Sequence, residues 1–410
     1  MSFDLALSGD GKIPSLTSHL TIGPEEYIAG RAMRYVRNGH TGRYFRIGRR
    51  ESFILLRLNG ECTFEELASQ YGAAFGRRLT APSLASALGT FARGGLLGDR
   101  TDEAGRESVP IVSAPPAPLS FKLASWNPEW ALRKLAPLAR LFDAPVLLAW
   151  GVIVAASEFA LLPHLTEMWA LSTGASSLPL RFAILFLLQT FMLFLHEGAH
   201  ALACKRHGGE VREVGLMFKY LGVRAYTKID DILLFPRRLD RLYVLLAGPL
   251  VSLTLIPAAY LGWVFSSPHG FAHLIFTDIL IWYNLMNLIQ FIPFLQLDGY
   301  FMLAQVLRMP DLMRDSYFFL SRAIAPGLFA GRGTVVAEEC PSYVKPVYAV
   351  YGSLSVLVTI AAVAYAAASY SQRLFNAVGA AFGSALVAAA VVAVLIRFAW
   401  RLWRWNKGLA

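Results

Sequence analysis

The chain has 410 residues, 55% of them hydrophobic and 16% charged, and its mean hydropathy is +0.46. Those values exclude an ordinary soluble domain and predict a polytopic membrane protein with a soluble part. The formal net charge of +10 reads as membrane topology plus attraction to anionic lipid, so a lipid bilayer is expected as partner and nucleic acid is not.

Residues 1–20 are polar and lack an apolar core followed by a small-residue cleavage site, so the first span is expected to direct insertion. Residues 20–100 predict a small soluble domain, with a strand pair at 43–47 and 53–56 and helices near 64–71 and 83–94. Thr63 followed by Glu66 is a capping-box pattern for the first helix, and Gly94-Gly95 is a stop for the second. Residues 101–120, rich in Pro, Ala and Ser, read as a linker. Cys62, Cys204 and Cys340 are too few and too scattered for a disulfide framework or a thiolate metal site.

The membrane part is expected over 121–410. Six apolar stretches predict transmembrane helices at 144–163, 182–204, 242–265, 274–297, 346–370 and 375–396. Arg133, Lys134 and Arg140 place the segment before the first span inside. The outward connections then hold only Arg181 and Arg373, whereas the inward ones hold Lys205, Arg206, Arg237, Arg238, Arg241, Lys345 and Arg397. Both termini are therefore expected at the cytoplasmic face of a multi-pass cell-membrane protein.

Between the second and third spans, alternating runs within 211–229 predict a membrane-associated β-hairpin with one apolar face. Residues 300–344 read as amphipathic and surface-lying. The tail, where Trp400, Trp403 and Trp405 interleave with arginines, reads as an interfacial anchor. Glu158 and Asp278 lie toward the outer ends of their spans, where interfacial solvation or a helix–helix hydrogen bond accounts for them.

The second span carries His196-Glu197-Gly198-Ala199-His200. On a helix the two histidines share a face, one turn apart, and can reach one zinc ion at about 2.0–2.1 Å. Glu197, about 100° around the helix, addresses a zinc-activated water rather than the metal and serves as general base. Charged groups in hydrocarbon are costly, so their presence there points to chemistry. Two histidines leave the site short of a protein ligand. His207 is about 10 Å farther along the axis and too distant. Asp298 is expected to end the fourth span on the same side as the end of the second, and spacing alone leaves it equally a ligand or the cap of the following helix.

These residues resemble the site-2 protease family of intramembrane zinc metalloproteases. The likeness rests on His196 to His200, on Ala247-Gly248-Pro249 and on Leu297-Asp298-Gly299, and covers about residues 180–310. It implies that Asp298 is the third ligand of a single Zn2+. Where the family has an Asn in an N-x-x-P segment, this chain has Gln290-Phe291-Ile292-Pro293, which makes Gln290 the matching substrate-binding or oxyanion residue. More narrowly, the chain is similar to the peptide zinc metalloproteases found with peptide modification and export systems, on Gly209, Val214-Gly215, Phe235-Pro236-Arg237-Arg238 and the stretch from Pro293 to Tyr300. Residues 41–47 and 56–60 are similar to the small winged-helix-like, PqqD-like domains that bind leader peptides.

The resemblance implies a six-helix metalloprotease domain over 121–410 with its core at about 180–310, behind an α+β winged-helix-like domain at 20–100. The function expected is a zinc metalloendopeptidase that cleaves a peptide precursor or a membrane-spanning substrate near the cytoplasmic face. The alternative is a peptide-binding export or maturation component with non-catalytic or structural zinc. A membrane-tethered DNA binder is disfavoured, because 83–94 contains only Arg93 as a basic residue.

Overall fold

The computed structural model describes residues 13–97, 121–174, 178–219, 222–324, 342–378 and 392. The linker expected at 101–120, most of the sixth apolar stretch and the Trp-rich tail lie outside the described residues. The chain divides into two compact units, one of residues 1–114 with 233–236, the other of 115–232 with 237–410.

In the first unit, β1 (Leu20–Ile28), β2 (Arg31–Asn38) and β3 (Tyr44–Gly48) form an antiparallel sheet in that order. Three helices follow, α1 (Arg49–Leu55), α2 (Phe64–Phe75) and α3 (Ala81–Arg93). Val36, Phe45, Leu55, Leu67, Leu84 and Phe91 are buried in one core between sheet and helices. The strand expected at 53–56 is instead helical. Phe53 to Leu56 is an unbroken apolar run that fits either period. Because β2 already pairs with β3, the run covers the sheet as a helix and buries Ile54 and Leu55. Thr63 and Glu66 close the capping box at α2 as the sequence predicts. The α3 helix ends at Gly94, and Gly95 takes the left-handed φ of +66° that glycine tolerates.

The second unit is largely helical. Among the described residues, five stretches are long and apolar enough to cross a membrane: Ala144–Gly174, Pro179–Arg206, Arg238–Phe265, Phe271–Phe291 and Val344–Ala361. They carry outward-facing Leu148, Phe159, Phe182, Leu187 and Phe265, the surface of a polytopic membrane protein. The first comprises α5 (Ala144–Leu161) and α6 (Leu165–Gly174), and the second is the single helix α7 (Leu178–Arg206). The third joins α8 (Arg238–Leu253) to α9 (Leu255–Phe265). The fourth runs through α10 (Phe271–Asp278), a π turn (Ile279–Tyr283), α11 (Asn284–Leu288) and a 3-10 turn (Ile289–Phe291). Beyond it come α12 (Asp298–Leu307), α13 (Leu312–Ile324) and α14 (Val344–Val378).

The hairpin expected within 211–229 is present as β5 (Val214–Lys219) and β6 (Gly222–Thr227), but it has a third strand. Residues Phe121–Trp126 form β4, which pairs antiparallel with β5 and makes it the central strand. Next in the chain, α4 (Glu129–Lys134) and a 3-10 segment (Ala136–Phe142) lead to α5. Ion pairs from Lys205 to Glu129 at 2.8 Å and from Arg206 to Asp143 at 2.6 Å tie this segment to the end of α7.

The fourth apolar helix stops six residues earlier than expected, at Phe291 rather than Leu297. Proline at 293 explains it, because the residue before a proline is driven out of helical geometry, and Ile292 is extended, with φ −67° and ψ 117°. Asp298 therefore does not end that helix. It is the first residue of α12, whose N-cap position is held by Leu297 without a side-chain cap.

Candidate metal centre

His196 and His200 project from one face of α7 near its C-terminal end, and both imidazoles are buried. Their Nε2 atoms are 3.2 Å apart. Asp298 brings its carboxylate to both, with Oδ2 3.0 Å from His196 Nε2 and Oδ1 3.5 Å from His200 Nε2. Among the described residues these three form the one group able to hold a metal ion. A metal bound tetrahedrally at about 2.0–2.2 Å has donor atoms about 3.3–3.6 Å apart. The 3.5 Å separation lies in that range, and the 3.2 and 3.0 Å separations are slightly shorter.

The backs of the imidazoles are also engaged. His200 Nδ1 donates to the Val244 carbonyl at 2.7 Å. A carbonyl only accepts, so the proton sits on Nδ1 and the Nε2 lone pair is left to face the cluster. His196 Nδ1 is 2.9 Å from Ser252 Oγ, and the Ser252 carbonyl accepts from Tyr283 Oη at 2.7 Å. Such partners fix ring orientation and tautomer in metal-ligating histidines.

Two glycines make the approach possible. A Cβ at Gly248 would lie against Nε2 of both histidines, 2.8 Å from that of His196. A Cβ at Gly299 would run into the Phe291 backbone, 2.7 Å from its Cα. Only glycine lets the start of α12 pack on the preceding 3-10 turn and present Asp298. The amino-terminal end of that helix also favours a carboxylate.

Glu197 follows His196 on α7 and is half-buried, with its charge coupled to both imidazoles and to Asp298. Its backbone carbonyl accepts from Thr227 Oγ1 at 3.1 Å, which joins the last residue of β6 to the histidine turn. The structure thus brings His196, Glu197, His200 and Asp298 together. Gln290 is half-buried in the turn before Ile292 and makes no hydrogen bond to the three donors. His207, set aside on helical distance, lies beside Asp240 with Nδ1 3.5 Å from Oδ1.

The chain matches no protein-family model, no curated protein and no solved structure.

Sequence reasoning identified Ala247-Gly248-Pro249 as a pattern but missed the residues around it that touch the histidines. Val244, Gly248 and Ser252 are spaced by four along α8 and so form one stripe on that helix. That spacing was the available signal.

Proposed function

We propose that this protein is a membrane-embedded zinc metalloendopeptidase of the site-2 protease type, cleaving a peptide precursor or membrane-spanning substrate near the cytoplasmic face. The observation that carries the reading is the convergence of His196 Nε2, His200 Nε2 and the Asp298 carboxylate beside Glu197. His196, His200 and Asp298 would hold one Zn2+. Bound there, zinc supplies Lewis acidity and brings the pKa of a water near neutrality. Glu197 accepts a proton from the attacking water on its carboxylate and returns it to the nitrogen of the leaving amine. Once Glu197 has taken the proton, two neutral imidazoles and the single negative charge of Asp298 would leave a bound Zn2+ with a net positive charge, which would favour an anionic tetrahedral centre.

A substrate helix hides its carbonyls in internal hydrogen bonds, so cleavage requires an unwound segment. β6 is an outer strand of its sheet, and its last residue contacts the Glu197 turn. An extended segment added to that edge would be held by main-chain hydrogen bonds close to the metal ligands. In the first unit, the three-stranded sheet with three helices suits a winged-helix-like module that receives a leader peptide. The break expected at 371–374 is absent, since α14 is helical through to Val378; a sixth span after that helix, with both termini cytoplasmic, completes the proposed topology.

The test is a comparison of purified wild type with Glu197→Gln for zinc content and for cleavage of candidate precursors. Equal zinc in both, with cleavage by wild type alone, supports the assignment. Equal cleavage by both would sink it.

A further inference from the structure

Glu158 of α5 and Asn284 of α11 form a second polar pair inside the helical unit, one the metal centre does not use. Asn284 Nδ2 donates to Glu158 Oε2 at 2.8 Å. The remaining two oxygens, Glu158 Oε1 and Asn284 Oδ1, are both buried and have no hydrogen-bond partner. An ionised carboxylate and an amide oxygen are acceptors only, so leaving both unmatched in a low-dielectric interior incurs the desolvation cost of each.

Among the described residues, no cation is paired with Glu158. Glu158 is the only charged residue of α5, and α9, the π turn and α11 have none. Tyr260 and Tyr283 are the titratable groups there, and Tyr283 donates its hydroxyl to Ser252. In α8 the charged residues Arg238, Asp240 and Arg241 sit in the first turn, whereas Glu158 is in the last turn of α5, which runs in the same direction. Arg140 precedes α5 at its opposite end. His164, just after α5, has Nδ1 3.9 Å from Glu167 and its ring against Trp263. Arg181 is engaged with Asp278. The adjacent Phe159 is 75% exposed and would face lipid, where an isolated carboxylate is least tolerated.

We propose that Glu158 is a proton-binding site. One proton from water occupies Oε1, which donates to Asn284 Oδ1 while Asn284 Nδ2 donates to Oε2. The result is a neutral pair with two reciprocal hydrogen bonds joining α5 to α11. Turning the amide over exchanges the oxygens involved but not the need for one proton.

The test uses the full-length protein in lipid bilayers at neutral pH, read by infrared spectroscopy. The difference between wild type and Glu158→Gln should contain the carbonyl stretch of a protonated carboxyl in the wild type. An Asn284→Leu variant should shift that band to higher wavenumber, because the Nδ2–H that donates to the carbonyl oxygen is gone. Glu158→Gln keeps the same skeleton and can form the same two bonds, so it should unfold within a few degrees of wild type. Absence of the band from the difference spectrum would show an ionised carboxylate, and a large loss of stability in Glu158→Gln would show that the two reciprocal bonds are not made; either result would overturn the site. A band unmoved by Asn284→Leu would overturn the pairing.

Discussion

Ser252 shows how much of the proposed centre depends on side chains outside the zinc motif. Its hydroxyl stands behind His196 Nδ1, as the Val244 carbonyl stands behind His200 Nδ1. For His196 to present an unprotonated Nε2, its Nδ1–H must donate to Ser252 Oγ. Ser252→Ala removes that acceptor without adding bulk, and loss of such a partner lowers metal affinity by about 10–100-fold. Competition with a chelator should measure that drop, while zinc affinity equal to wild type would remove Ser252 from the site. The two histidines and Glu197 were legible in the sequence because their geometry is local, set by one turn of one helix. Ser252 was not, since its partner belongs to another helix and its relation to His196 is created by packing. Asp298 was intermediate. Its identity was visible, but its placement at the head of α12 depends on the break at Pro293 and on the close approach permitted by Gly299.

At the scale of the element, α2 was read correctly because its signal is contained in its own first turn. Glu66 Oε2 accepts from the Thr63 backbone N–H at 3.0 Å, and the Glu66 N–H donates to Thr63 Oγ1 at 3.3 Å. The backbone hydrogen bond from Thr63, followed by its side-chain hydrogen bond, holds the Glu66 carboxyl below the usual carboxylate range. A carboxyl lowered by folding contributes stability above its unfolded pKa and loses it as pH falls through the folded value. Thr63→Ala should weaken the cap by about 0.5–2 kcal/mol, read as faster amide exchange in the first turn of α2, and lowering the pH should speed exchange in both proteins, because the residue-63 N–H that donates to Glu66 survives the substitution. The 53–56 segment was misread because four consecutive apolar residues carry no period. Only the prior pairing of β2 with β3 decides it.

The ion pair at the start of α7 was hidden for a related reason, since burial cannot be read from position near a span end. Arg181 and Asp278 are 2% and 1% exposed. Arg181 Nε donates to Asp278 Oδ2 at 2.6 Å, and Ser172 Oγ donates to Asp278 Oδ1 at 2.6 Å. Removing one member of a buried pair strands the other charge. Asp278→Asn should therefore cost about 3–5 kcal/mol, whereas replacing both by leucine should cost much less. Chemical unfolding of the three variants in micelles compares them, and a double variant as unstable as the single would contradict the argument.

For the whole molecule, the apolar stretches revealed the spans because hydrocarbon thickness imposes a length that sequence must meet. The sheet was only half legible: β4 joins β5 across a separation of about ninety residues, and no local pattern marks such a pairing. Its presence changes what the hairpin can do, because it holds β5 from one side and leaves β6 at the rim. Leu216, Ala225 and Thr227 lie on one face of the β5–β6 pair, with Leu216 directly opposite Ala225, and Ala225 is buried. Thr227 carries that face to the carbonyl of Glu197. Outside the spans, Glu213 links the strands from its place just before β5. Burial raises its carboxyl, but hydrogen bonds from Lys122 and Tyr226 outweigh this and hold it below the usual range. Neither that network nor the Thr227 hydrogen bond to Glu197 involves a metal ligand. Leu216→Asp places a charge on the face toward α7 and should displace β6 from the Glu197 turn. Under the proposed function, cleavage should fall to background while zinc content stays at the wild-type level, and Leu216→Val should restore activity. Retained cleavage in Leu216→Asp would reject the sheet as the element that presents substrate, whereas zinc loss in that variant would show that the sheet supports the ligands themselves.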